Sequence, residues 1–274
     1  MILSQSAVVL NEQQLKLVES GWGKKVAYNT EVSNITYDSD GIEVKGYFAK
    51  PLNIDKKLPL IIWNRGGHEN DGRIDEFIAK GMFGEIASWG YTVLASQYRD
   101  KDEFGGSDIN DVINLIKLSD ELPDCRSSLI GMEGWSRGGM MTYKALTITD
   151  RIKCAVIVSG LADILRSEKD RDGLARAYKK LFGSEDEIEF QERKKERSAV
   201  HFYKKISKDT DILLIHGTGD NKVSHQDSID MHELLKSNGN KCKLEIIEGG
   251  DHYLTKHRKQ LAQLRKNWYN KHLK

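Results

Sequence analysis

Between Glu31 and Pro51 apolar and polar residues alternate on both sides of an Asp40-Gly41 pair. That is the pattern of two half-buried strands joined by a tight turn, in which glycine accepts the positive φ the turn needs. Beyond it the period changes. Short apolar-rich runs at Leu58–Trp63, Tyr91–Ala95, Ser128–Met132, Cys154–Val158, Ile212–His216 and Lys243–Ile247 read as strands, several of them apolar on both faces. The segments between them carry helical spacing: 77–89, closed by Gly90, then 109–118, 138–148, 226–237 and a long terminal stretch at 255–272. An antiparallel hairpin followed by alternating strands and helices predicts an α/β domain over residues 31–274. Its central sheet is mostly parallel and has helices on both faces. Residues 1–30, with Leu15, Leu17 and Val18, read as a short helix or edge element appended to it.

Composition narrows the classes. Lys and Arg total 42 against 41 Asp and Glu, a net charge of +1, so no chain-wide basic field exists for nucleic acid or an anionic membrane. The three cysteines (Cys125, Cys154, Cys242) are widely spaced and form no C-x-x-C, which argues against a disulfide framework or a zinc site and fits a reduced cytoplasm. The N-terminal apolar stretch is short and lacks a basic flank, so neither secretion nor a membrane span is expected. There is no P-loop, no G-x-G-x-x-G after a strand and no H-x-x-x-H, so no cofactor and no metal are expected.

The chemistry concentrates after the strands. Gly134-Trp135-Ser136-Arg137-Gly138 is a G-x-S-x-G, weak alone, but a predicted strand runs in and a predicted helix runs out. A serine on so sharp a turn needs glycines two positions either side. Its hydroxyl needs a general base and a group that orients the base, and in sheets of this kind the order is Ser, acid, His. Asp220 follows strand 212–216 and His252 follows strand 243–247, which fits by order and by location. His216 ends a buried strand and reads instead as a hydrogen-bonded core residue. Asp251 is a weaker acid candidate because it adjoins His252. Two donors must face the developing oxyanion. The Arg137 N–H is one, and the loop Asn64-Arg65-Gly66-Gly67-His68 offers the other, with Arg65, Gly66 and Gly67 as candidates. His68, Trp135, Tyr98 and Tyr253 flank these loops and are candidate pocket residues.

On RGGHE at 65–69, SQYRDKDEFGGSDINDV at 96–112, GMEGWSRGGMMTY at 131–143, LLIHGTGDNKVSHQDS at 213–228 and IEGGDHYL at 247–254, the chain resembles the catalytic domain of the prolyl oligopeptidase family, of the α/β-hydrolase fold. The resemblance implies Ser136 as nucleophile, Asp220 as orienting acid and His252 as base. It departs in two respects: the residues ahead of the domain are too few for the family's gating propeller, and Arg65 stands roughly where a tyrosine commonly donates to the oxyanion. The first points to a small ester, an amide or a short peptide as substrate; at the second, Arg65 can donate N–H bonds, bind a substrate carboxylate, or pair with an acid such as Glu69 or Asp71. The competing reading, a non-catalytic protein of the same fold that binds a ligand or partner, requires a lost triad member, and none is lost. Finally, residues 163–211 hold 13 Lys/Arg and 12 Asp/Glu, half of that stretch. Such density reads as a salt-bridged, helical insert between two strands, or as a polar cap over the pocket.

Overall fold

A computed structural model describes residues 1–274, the side chain of Asp172 excepted. The chain opens with strand β1 (Ile2–Ala7) and helices α1 (Glu12–Trp22) and α2 (Lys24–Tyr28). Strands β2 (Thr30–Ser39) and β3 (Ile42–Pro51) follow, then β4 (Leu58–Asn64), α3 (Glu76–Ser88), β5 (Thr92–Ser96), α4 (Ile109–Leu118), β6 (Cys125–Trp135), α5 (Arg137–Ala145) and β7 (Ile152–Val158). The charged segment forms α6 (Ile164–Asp170), α7 (Asp172–Phe182), α8 (Glu187–Lys195) and α9 (Ala199–Phe202). The chain closes with β8 (Asp211–Gly217), α10 (Gln226–Ser237), β9 (Cys242–Ile247) and α11 (Arg258–Leu273).

The nine strands form one sheet in the order β1-β2-β3-β5-β4-β6-β7-β8-β9. Pairings from β1 to β5 are antiparallel and the rest are parallel. The hairpin is as the alternation predicts: Asp40 (φ 57°) and Gly41 (φ 80°) both take positive φ in a two-residue turn, the conformation that matches strand twist. In the parallel strands the side chains divide by the two-residue period. Leu60, Ile62, Leu94, Ile157 and Leu214 pack on the face covered by α4, α5 and α10. Ile61, Trp63, Val93, Val156 and Leu213 pack on the face covered by α3 and α11. Both faces being covered explains the continuous apolar runs.

Residues 1–30 supply an edge strand and two helices: β1 pairs with β2 from Ile2↔Tyr37 to Ala7↔Ser33, and Val18 of α1 and Val26 and Ala27 of α2 are buried together. The weak apolar signal of β1 has a physical cause. An edge strand is covered on fewer sides, so β1 carries mostly exposed residues and lacks the apolar run that marks an inner strand. The charged segment is helical, and it also has its own apolar seam. Tyr178 and Phe182 pack on Phe104 and on each other, and Phe190 packs on Phe182, at ring separations of 5.3–6.3 Å. Lys194 pairs with Glu168 at 2.7 Å, and Arg166 reaches Asp227 on α10 at 2.9 Å.

Chain order reverses where β5 lies on one side of β4 and β6 on the other. At such a switch point, loops leaving the carboxyl ends of the strands splay apart and open a crevice. The loops after β4, β6, β8 and β9 converge there.

Candidate active site

Ser136 sits between β6 and α5 with φ 55° and ψ −122°, a backbone conformation rare for any residue with a Cβ. The turn is held because strand and helix nearly touch: a Cβ at Gly134 would overlap the Gly138 carbonyl, and one at Gly138 would overlap the Asn64 carbonyl. The Ser136 N–H donates to Val158 O at 3.1 Å, and its carbonyl accepts from Gly139 and Leu161. The hydroxyl is thereby fixed at the mouth of a cavity of about 730 Å³, which His252 also lines.

His252 is buried in the loop after β9, and Asp220 in the loop after β8. His252 Nδ1 lies 2.7 Å from Asp220 Oδ2, which orients the ring and leaves Nε2 for chemistry. No hydrogen bond joins Ser136 Oγ to His252 among the described residues; such bonds tighten when substrate is bound. Asp220 Oδ1 accepts the N–H groups of Lys222 (2.8 Å) and Val223 (3.0 Å). Burial works to raise the Asp220 pKa. The hydrogen bonds from His216 and His252, the charge of His252 and the Val223 amide outweigh it, holding the carboxyl well below the usual range.

His216 is the participant that sequence reading placed only in the core. It is fully buried, and its Nε2 lies 3.0 Å from Asp220 Oδ2 and 3.1 Å from Val223 O. Val223 O can only accept, so Nε2 carries the proton, and Nδ1 accepts from Ser228 Oγ at 2.7 Å. Asp220 is therefore gripped by two imidazoles. The signal in the sequence was the four-residue spacing of His216 and Asp220, which here a strand followed by a tight turn converts into contact.

The oxyanion candidates separate. Arg137 opens α5, where its N–H has no intrahelical acceptor. Gly66 presses on Ser136: a Cβ there would stand 3.1 Å from Ser136 Cβ and 3.7 Å from Oγ. Gly67 lines the same cavity at φ 69°. Arg65 does not join them. Its guanidinium is buried and donates to the carbonyls of Gln97, Gly66, Asp71 and Glu69 at 3.0–3.2 Å, so its donors are consumed in shaping the loop. Tyr98 is likewise no pocket residue. It is buried, donates to Arg65 O, and lies under the guanidinium groups of Arg65 (4.8 Å) and Arg137 (4.9 Å). His68, Trp135 and Tyr253 do line the cavity, and Lys222 donates to the Tyr253 hydroxyl at its rim.

The Arg137 side chain was also unforeseen in its role. It is buried, paired with Asp102 (2.7 Å) and Asp108, and it donates to Gly67 O at 2.9 Å. Asp102 in turn accepts the Glu69 N–H at 2.6 Å. One guanidinium thus ties the helix that bears Ser136 to the loop that bears Gly66 and Gly67. The segment between Tyr98 and Ile109 is so rich in acids that no spacing singled out these two.

Comparison with known proteins agrees with this geometry. Residues 89–274 match the sequence profile of the prolyl oligopeptidase family. The chain belongs to that family. By family it is a serine hydrolase of the α/β-hydrolase fold. It is 29% identical over 209 residues to the uncharacterized peptidase YtmA of Bacillus subtilis, covering 74% of this chain and 78% of that one. The acylaminoacyl peptidase of Pyrococcus horikoshii superposes with a TM-score of 0.76 at 23% identity, over 90% of this chain and 42% of the peptidase. The chain thus spans less than half of that solved relative. An esterase of Thermogutta terrifontis superposes with a TM-score of 0.68 at 18% identity, over 87% of this chain and 93% of the esterase. Among the described residues no helix is long and apolar enough to cross a membrane.

Proposed function

We propose that this family member cleaves a small ester, an amide or a short peptide through an acyl-enzyme formed on Ser136. The observation that carries the reading is the convergence of Ser136 and His252 on one cavity, with His252 Nδ1 held 2.7 Å from Asp220. In this scheme His252 Nε2 takes the Ser136 proton as Oγ attacks the carbonyl carbon. The displaced electron pair settles on oxygen, which receives the N–H groups of Arg137 and of the Gly66-Gly67 loop. Collapse of this adduct expels the leaving group, which takes the proton from His252. Water then repeats the sequence and frees Ser136. Asp220, ionised throughout, steadies the imidazolium.

The complete trio and the family both count against a purely binding role. The word peptidase in the relative's name supports peptide substrates, and the esterase neighbour supports esters. The three unpaired cysteines support a reducing compartment. A panel of 4-nitrophenyl esters and aminoacyl 4-nitroanilides, run beside His252→Ala, tests the reading. At least one class should turn over, with kcat lost by about 10³-fold or more in the variant. Turnover untouched by His252→Ala would refute it.

A further inference from the structure

The cavity is far larger than an acetyl group or a single small residue needs; 730 Å³ lies in the range that encloses drug-sized ligands. One side of its wall is apolar, built from Trp22 of α1, Ile78 and Met82 of α3, Leu261 of α11, and Trp63 and Trp135 at the ends of β4 and β6. We propose that it holds a bulky apolar group of the substrate, a medium-length alkyl or an arylalkyl beside the bond cleaved, and that Trp22 is its specificity-determining wall. This rests on the hydrolase reading above.

Trp22 is a placed residue. Gly81 of α3 makes room for it: a Cβ there would lie 2.6 Å from the indole. Phe77 meets the ring edge-on at 5.9 Å and 78°, and the Arg258 guanidinium lies 4.4 Å from its centre. Two elements distant from it in sequence, α3 and α11, therefore agree on where this indole stands.

The charged groups beside the Trp63 and Trp135 rings are spent on one another, while Arg171, Lys222 and Arg258 stand elsewhere on the lining. The indole N–H groups of Trp63 (3.0 Å) and Trp135 (2.6 Å) both donate to Oε1 of the buried Glu133. Arg265 donates to Glu133 Oε2 at 3.0 Å and to Glu85 at 2.9 Å, so this one of the lining's cations is neutralised within the protein. What these two tryptophans offer a ligand is ring surface, whose burial against alkyl or aryl groups contributes roughly a fourfold gain per methylene. Trp22, Trp63, Ile78 and Met82 all precede residue 89, where the match to the family begins. Much of this wall is thus built from a part of the chain that the family match does not reach.

Two series of simple esters, followed by pH-stat titration, test the proposal on the full chain. One holds ethanol as the alcohol and varies the acid from acetic to hexanoic and 3-phenylpropionic. The other holds acetate and varies the alcohol from ethanol to hexanol and 3-phenylpropanol. In one series kcat/KM should rise by about 250-fold from the smallest to the six-carbon member, four methylenes at the gain above. Trp22→Ala should cut that ratio by tenfold or more. Met82→Trp, which fills the cavity from α3, should cut it as well and serves if Trp22→Ala does not fold. Ser136-dependent turnover with a flat ratio in both series would overturn the pocket and leave the hydrolase reading standing. If no ester turns over, binding of ethyl 3-phenylpropionate to the Ser136→Ala protein, read by tryptophan fluorescence, decides separately. Saturable quenching that Trp22→Ala weakens by tenfold supports the pocket, and no quenching overturns it.

Discussion

His216→Leu removes a residue that touches no substrate, so its effect must pass through Asp220. The wild-type imidazole shares its Nε2 proton between Asp220 Oδ2 at 3.0 Å and Val223 O at 3.1 Å, and its Nδ1 accepts from Ser228. Leucine fills similar space and supplies none of these bonds. A hydrogen bond to an ionised carboxylate contributes about 1.5–3 kcal/mol, and each polar group left buried without a partner costs about 1–3 kcal/mol. Global stability should fall by roughly 3 kcal/mol in urea titration. The sign for catalysis follows from the carboxyl's depressed pKa. Losing one donor moves it up toward the ordinary carboxylate range, so it remains ionised at neutral pH and activity survives. Its charge is then less dispersed and stabilises the protonated His252 more strongly. The acid limb of kcat/KM should shift to higher pH by about one unit, the equivalent of about 1.4 kcal/mol. Looser positioning of His252 should lower kcat about tenfold at the plateau. A second consequence is that stability itself becomes less pH-dependent. A depressed carboxyl contributes stability that is present above its unfolded-state pKa and lost as pH falls through its folded-state value, and the variant has less to lose. His216→Gln, which can return one N–H donor, should recover part of the shift. A folded His216→Leu protein with an unmoved acid limb and unchanged kcat would refute the claim that His216 acts on the site.

Other outcomes follow from the same contacts. In the wild type the depressed Asp220 carboxyl keeps its charge on acidification, so the acid limb of log kcat/KM should have a slope no steeper than one; a slope of two would contradict an Asp220 that stays ionised. Gly66→Ala should fold but lower kcat/KM at least tenfold, since the new Cβ would stand 3.1 Å from Ser136 Cβ and 3.2 Å from Trp135 O; unchanged kinetics would remove Gly66 from the oxyanion wall. Arg137→Met leaves Asp102 and Asp108 buried without their cation and should cost about 3–5 kcal/mol in chemical denaturation, which a stable variant would contradict.

Much of the architecture was legible because most of the parallel strands are covered on both faces and therefore written as apolar runs. The helices at 109–118 and 226–237 match the spacing to the residue. Strand β1 was not legible, because an edge strand needs few apolar side chains. The placement of Ser136, Asp220 and His252 just past strands β6, β8 and β9 was readable because glycines mark those turns. Arg65 and Arg137 were not. A lone arginine in a Gly-rich loop looks the same whether it faces a substrate or donates to its own backbone carbonyls, and only the fold decides. Trp22 was invisible for a related reason: its role depends on Gly81 and Arg258, which approach it only in three dimensions.

The central claim is that Ser136 is an activated nucleophile, and covalent labelling addresses it most directly. The full-length protein treated with a fluorophosphonate should gain one adduct by intact mass, located by peptide mapping on Ser136, abolished in Ser136→Ala and slowed by orders of magnitude in His252→Ala. An unlabelled wild-type protein, or an adduct on any other residue, would contradict the account.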